Sequence, residues 1–159
     1  MTVPVIARAE VVVEATPEDA FHLFTDEISL WWRPHTRYWN DSERGLYLKI
    51  EPGVGGRWIE VYDADSGEGM EVGRVTRWEP PRLLALTWTQ LGWPDEFVTE
   101  LELNFEPVAE GTRVRLSHSG FEPLGEEAAA TSGGYEAGWQ EILGWLAEHA
   151  ASPTGREGR

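Results

Sequence analysis

Apolar and polar residues alternate through 5–14, with Ala7, Ala9, Val11 and Val13 on one face and Arg8, Glu10 and Glu14 on the other. A period of two belongs to a strand with one buried face, so this segment predicts the first strand. The period then changes. Thr16-Pro17-Glu18-Asp19 reads as a helix start: threonine caps, proline takes the first helical position, and the acidic pair meets the positive end of the dipole. Ala20, Phe21, Phe24 and Ile28 give this short helix an apolar stripe, and Asp26 opens a second turn that ends at Trp31-Trp32-Arg33-Pro34.

Six strand-like runs follow, at 46–51, 57–63, 70–79, 82–89, 96–106 and 112–121. Turn chemistry separates most of them: Pro52-Gly53-Val54-Gly55-Gly56, Asp63-Ala64-Asp65-Ser66-Gly67, Pro80-Pro81 and Glu110-Gly111. The connection through Leu91-Gly92-Trp93-Pro94-Asp95 is less regular. Short runs joined in this way predict an antiparallel meander. The last element spans about 125–150, where Ala128, Tyr135, Trp139, Ile142, Leu143 and Leu146 share one helical stripe. Gly133-Gly134 weakens its middle by roughly 1 kcal/mol per glycine relative to alanine. That predicts a kink or break there, or else a close approach of ligand or sheet.

The order is strand, two short helices, six strands, one long helix. Only the long helix is large enough to cover the buried face of the sheet. The expected fold is therefore α+β and of the helix-grip kind: a curved antiparallel sheet of six to seven strands around a long C-terminal helix. A helix cannot meet a curved sheet along its whole length, so a gap between them is expected. The single domain should occupy 1–152, with 153–159 as a disordered tail.

Composition narrows the function. The chain has 159 residues, 41% hydrophobic and 26% charged, the balance of one globular domain. With 13 basic and 28 acidic residues its net charge is −15, which repels phosphate backbones and anionic lipid; no nucleic acid and no membrane partner is expected. Cysteine is absent, which excludes disulfides, thiol nucleophiles and zinc–thiolate sites. No basic segment followed by an apolar run opens the chain, and no apolar stretch reaches the ~20 residues needed to span a bilayer. A cytoplasmic location is the expectation. Nine tryptophans stand out, because large aromatic side chains both fill cores and line pockets for apolar ligands.

Polar chemistry is sparse. Ser117-His118-Ser119 lie consecutively on one strand, so His118 points away from both serines, and no Gly-x-Ser-x-Gly elbow occurs. The histidines, His22, His35, His118 and His149, form no His-x-x-x-His pair, and His22 with Asp19 and Asp26 reads as a solvated helix face. Neither a metal nor a cofactor is expected. His118 shares a face with Val114 and Leu116 and should point toward the helix. It is either a hydrogen-bonded core residue or a ligand-orienting donor or general acid/base. Glu60 alternates with Trp58 and Tyr62, which places it inward or outward depending on which face is the inner one. Arg74 carries the same ambiguity. A Glu60–Arg74 pair would lie either on the surface or at a ligand's polar group.

With these features the chain resembles the START-like (SRPBCC) superfamily, in the branch of heat-shock-protein ATPase activators and polyketide-cyclase-like proteins. The resemblance spans 7–150. It is carried by Thr16-Pro-Glu-Asp-Ala-Phe21, Trp31-Trp32, Gly55-Gly-Arg-Trp-Ile-Glu60, Gly73-Arg-Val-Thr-Arg-Trp-Glu-Pro-Pro81, Thr112-Arg-Val-Arg-Leu116 and Gly138-Trp139. It implies the helix-grip fold and leaves the reaction open. Family co-chaperones carry an additional chaperone-contacting domain for which this chain has no room, which disfavours a chaperone partner. A monomer or homodimer is expected.

Trp31-Trp32, Gly55-Gly56-Arg57-Trp58 and the Trp88 strand followed by a glycine loop also resemble small resistance proteins of enediyne producers, of the calicheamicin self-sacrifice type.

Three functions follow. The first is binding, without catalysis, of a small hydrophobic, aromatic or polyketide-like molecule. Its wall would be drawn from Trp31, Trp32, Trp58, Tyr62, Trp88, Trp93, Phe97, Leu101, His118, Tyr135, Trp139 and Leu143. The second is a cyclase- or aromatase-type enzyme using His118, Glu60 and Arg74. The third is sacrificial antibiotic resistance, with Gly92 as the cleaved glycine.

Overall fold

Seven strands form one antiparallel sheet in the computed structural model, which describes residues 5–152. In chain order the elements are β1 (Ala7–Val13), α1 (Pro17–Thr25), α2 (Ile28–Trp31), β2 (Tyr47–Ile50), β3 (Arg57–Val61), β4 (Gly69–Glu79), β5 (Leu83–Trp88), β6 (Thr99–Val108) and β7 (Gly111–Ser119). A 3-10 segment, Glu122–Glu127, then leads into α3 (Ala128–Ala151). The sheet order is β1-β7-β6-β5-β4-β3-β2, so β1 crosses the whole sheet's width from its sequence neighbour β2. Helices α1 and α2 fill that connection. This is the helix-grip architecture.

The local signals act as the sequence predicts. Thr16 Oγ1 accepts the Asp19 amide at 3.1 Å and caps α1, with Pro17 starting the helix. The inner face of the sheet supplies Leu84, Leu86, Leu101, Leu103, Phe105, Val114 and Leu116, all buried. Against it lie Phe21 and Phe24 of α1 and Trp139, Ile142, Leu143 and Leu146 of α3.

Helix α3 also covers the β1 edge of the sheet. Glu136 accepts the Arg8 amide at 2.9 Å, and Gln140 both accepts from the Glu10 amide (3.3 Å) and donates to the Glu10 carbonyl (2.8 Å). Backbone groups of β1 that would otherwise offer pairing to another chain are thereby occupied.

Two expectations are corrected. The helix does not break at Gly133-Gly134: α3 runs through both glycines, and the irregular residue is Gly125, at φ 64° and ψ −123°, in the turn before it. Two interior glycines cost roughly 2 kcal/mol. Burial of Trp139, Ile142, Leu143, Trp145 and Leu146 in one helix, at about 1.5–3 kcal/mol each, outweighs that cost. Nor do the glycines admit the sheet, because a Cβ at either would meet nothing within 4 Å. The second correction is the start of β6, at Thr99 rather than 96. Residues before it close a turn instead, with the Phe97 amide bonded to the Pro94 carbonyl at 2.9 Å.

The expected tail at 153–159 lies outside the described residues.

Candidate functional site

The gap between helix and sheet exists, as a cavity of about 390 Å³, within the size range of small-ligand sites. Three segments enclose it. The loop after α2 gives Trp32, Arg37, Tyr38, Trp39 and Asn40; β5 and the loop after it give Trp88, Gln90 and Trp93. Helix α3 gives Thr131, Gly134, Tyr135, Gly138, Trp139 and Ile142, a stripe at i, i+3 and i+4 spacing. The two glycines in that stripe act differently: Gly134 leaves open space, and Gly138 admits the Tyr38 ring. A Cβ on Gly134 would meet nothing within 4 Å, and one on Gly138 would come to 3.0 Å from the Tyr38 ring.

Half of the fourteen lining residues are aromatic, and their rings brace one another. Trp88 stands edge-on to Trp139 at 5.3 Å between centroids and to Trp58 at 5.3 Å, and Trp32 meets Trp139 at 5.9 Å. Edge-to-face pairs of this kind add about 0.5–1.5 kcal/mol beyond area burial and hold each ring in one orientation.

Behind this wall sits His118, fully buried on β7. Trp139 Nε1 lies 3.0 Å from its Nδ1, and Thr99 Oγ1 lies 2.7 Å from its Nε2. An indole nitrogen can only donate, so Nδ1 is the acceptor and the ring proton resides on Nε2. That proton goes to Thr99, whose hydroxyl donates onward to the Trp88 carbonyl at 3.1 Å. Burial pushes the His118 pKa down to about 3, which keeps the ring neutral. Both nitrogens are thus occupied, and His118 positions Trp88 and Trp139 instead of facing the cavity.

Polar side chains also face it, from Arg37, Tyr38, Asn40, Gln90, Thr131 and Tyr135. Trp88 Nε1 donates to the Tyr135 hydroxyl oxygen at 3.4 Å. Burial pushes the Tyr135 phenol up to about 12, so it stays protonated at neutral pH. Arg37 donates to the Tyr38 hydroxyl at 2.8 Å, and Tyr38 in turn donates to Glu141 at 2.7 Å. The Tyr38 phenol is raised first by burial and then by its bond to Glu141.

Glu60 holds the loop that carries Arg37 to Asn40. Its carboxylate, 1% exposed, accepts the backbone amides of Asn40 (2.7 Å) and Asp41 (2.8 Å) and the Tyr62 hydroxyl (2.5 Å). Burial and this carboxylate raise the Tyr62 phenol. Asn40 then reaches across, its Oδ1 accepting the Leu91 amide at 3.0 Å. The loop after β5 is tied to the loop after α2 by that bond.

Of the twelve expected wall residues, Trp32, Trp88, Trp93, Tyr135 and Trp139 line the cavity. The other seven do not. Trp31 is turned into the α1 side of the core, donating to the Leu23 carbonyl at 2.7 Å. Trp58 is one layer deeper, edge-on to both Trp32 and Trp88. Phe97 backs Trp93 at 4.4 Å, Leu101 and Leu143 are core, Tyr62 attends Glu60, and His118 is placed as above.

The Glu60–Arg74 pair does not form: exposed Arg74 pairs with Glu71 at 2.9 Å, while Glu60 is spent on loop amides. Gly92 is exposed at the cavity rim, at φ +90° between the lining residues Gln90 and Trp93. His22 contacts Asp26 (3.5 Å) and Glu27 (3.0 Å) on the surface. No group of three metal-ligating side chains exists among the described residues.

Sequence reasoning missed Arg37, Tyr38, Trp39 and Asn40, which sit in a loop without periodicity, and Gln90. Thr131, Gly134 and Gly138 were legible in principle as the continuation of the Tyr135–Trp139 stripe.

A larger depression, about 560 Å³, lies between α1 and the β4–β5 turn, lined by exposed Glu18, His22, Asp26, Pro52 and Pro80. Its floor is Phe21, Thr25, Ile50, Trp78 and Pro81. No helix among the described residues is long and apolar enough to cross a membrane.

The family model described as activator of Hsp90 ATPase homolog 1-like protein matches residues 14–151. Among solved structures, the anthrahydroquino-gamma-pyrone synthase Txn09, complexed with SUM, is 33% identical at a TM-score of 0.60, over 92% of this chain and 96% of that one. CalU16 from Micromonospora echinospora is 20% identical (TM-score 0.58; 99% of this chain, 87% of that one). The Aha1 dimer from Colwellia psychrerythraea is also 20% identical (TM-score 0.65; 91% and 95%). These last two share the fold. No curated protein matches the chain.

Proposed function

We infer, starting from the fact that the chain belongs to the activator of Hsp90 ATPase homolog 1-like family, that its cavity holds a planar aromatic molecule of polyketide type. The observation that carries this is the wall itself: Trp32, Trp39, Trp88, Trp93, Tyr135 and Trp139 around about 390 Å³. Such a surface supplies large contact area at low entropic cost and selects flat ligands. The name of Txn09, 33% identical over nearly the whole chain, supports the polyketide class. Binding without catalysis is the reading that the site chemistry favours. His118 is neutral with both nitrogens engaged, Glu60 is committed to backbone amides, and among the described residues no carboxylate lines the cavity. A monomer or homodimer suffices for it, since one chain contains the whole wall.

The test is a fluorescence titration with a tricyclic aromatic polyketide. Saturable quenching of tryptophan emission is expected, and Trp93→Ala should weaken binding by about 1–3 kcal/mol. Absence of quenching would sink the reading.

A second reading is a ring-closing synthase, favoured by the likeness to Txn09; Tyr135 would then be the acid in place of His118, Glu60 and Arg74. Mass and retention time of the recovered ligand separate the two, since a binder returns it unchanged. Sacrificial resistance finds support in the exposure of Gly92 on the rim. Exposure to an enediyne should then cut the chain at Gly92, and an intact chain would remove that reading.

A further inference from the structure

The cavity's hydrogen-bonding inventory is lopsided. Among the described residues no carboxylate lines it, and Glu141 accepts the hydroxyl proton of the lining residue Tyr38. Trp32 Nε1 is buried and has no partner among the described residues, while two other indole donors in the wall are spent, Trp139 on His118 and Trp39 on the Arg33 carbonyl at 2.8 Å. Tyr135 differs from both. Its oxygen receives the Trp88 indole proton, but its own hydroxyl proton has no acceptor among the described residues. The oxygen is also fixed in place: the Tyr135 ring lies 4.7 Å from His118 and 5.4 Å from Phe121, and Trp88 is wedged between Trp58 and Trp139. Trp88 occupies one side of the phenol oxygen, so the O–H is left to turn elsewhere, and Tyr135 lines the cavity. A donor whose oxygen already accepts a bond is polarised toward giving its proton.

We propose that Tyr135 is a specificity-determining donor of the cavity, giving its hydroxyl proton to a carbonyl oxygen of the bound aromatic. The chain then selects planar ligands with a ketone or quinone oxygen at that point over hydrocarbons of the same shape. This rests on the reading of the cavity as a site for aromatic ligands. A half-buried donor left without a partner is costly, whereas a made bond is modestly favourable, so discrimination comes from both sides. Burial keeps the phenol protonated well above neutral pH, so the preference should not vary between about pH 5 and 9.

The experiment titrates wild type and Tyr135→Phe with anthraquinone and with anthracene, following tryptophan quenching. The anthraquinone-to-anthracene affinity ratio should fall about tenfold from wild type to variant, the worth of one hydrogen bond. In wild type, the infrared carbonyl band of bound anthraquinone should move to lower frequency than in hydrocarbon solvent. That measurement stands even if the variant fails to fold. A ratio unchanged by the substitution, or an unshifted carbonyl band, overturns the proposal while leaving the aromatic site intact. If wild type binds neither probe, the proposal and the reading beneath it both fall.

Discussion

Trp139 and His118 are locked together: the indole Nε1–H of the helix donates to Nδ1 of the strand residue at 3.0 Å, with both side chains out of solvent. The bond joins α3 to the sheet directly behind the cavity. Burial keeps His118 neutral, and the bond fixes which nitrogen carries the proton, because protonating Nδ1 would set two donors against each other.

Stability should therefore depend on pH in a definite window. The folded-state pKa of His118 is about 3, lowered by burial, against about 6.5 unfolded. Between these values the unfolded chain binds the extra proton, so this contribution is complete above about pH 6.5 and is lost as pH falls toward 3. The slope is at most about 1.4 kcal/mol per pH unit from this group. Urea melts from pH 7 to 5 on wild type and His118→Gln check it: the wild type should weaken more steeply on acidification. Parallel curves would contradict the assignment.

The middle of α3 offers a cleaner test of backbone energetics. Gly133 is exposed, helical, and free of neighbours where a Cβ would stand. Gly133→Ala should raise unfolding free energy by about 0.5–1 kcal/mol. A loss of stability would mean that the helix requires glycine there.

Glu60 is the residue that converts sheet position into loop position. Glu60→Gln keeps the shape but turns an NH₂ toward amide donors, leaving one of the Asn40 and Asp41 amides unpaired. A loss of about 1–3 kcal/mol is expected. Proteolysis within 33–46 should also quicken. Unchanged stability with unchanged cleavage would show that the loop is held by something else.

How far the sequence could be read follows from the range of the interactions involved. Strand alternation and turn residues are local, and the seven strands and the cap at Thr16 came out of them directly. The same alternation said that His118 points inward but not how deep, and depth is what separates a wall residue from one behind the wall. The break expected at Gly133-Gly134 failed because local propensity lost to the burial of Trp139 through Leu146. Arg37 to Asn40 were invisible because their placement depends on Glu60, a contact about 20 residues away along the chain. Such contacts leave no period in the sequence.

Filling the cavity from within tests the central claim most directly. Gly134 lines it, and a Cβ there meets nothing within 4 Å, so Gly134→Leu adds bulk to the cavity and improves helix propensity by up to about 1 kcal/mol. Wild type and variant are titrated with anthraquinone by tryptophan fluorescence, and their thermal melts are compared. The account predicts saturable binding by wild type, at least tenfold weaker binding by Gly134→Leu, and a melting temperature for the variant no lower than that of wild type. Equal affinity in a folded Gly134→Leu variant would contradict it, because the ligand would then be bound somewhere other than the space between sheet and α3.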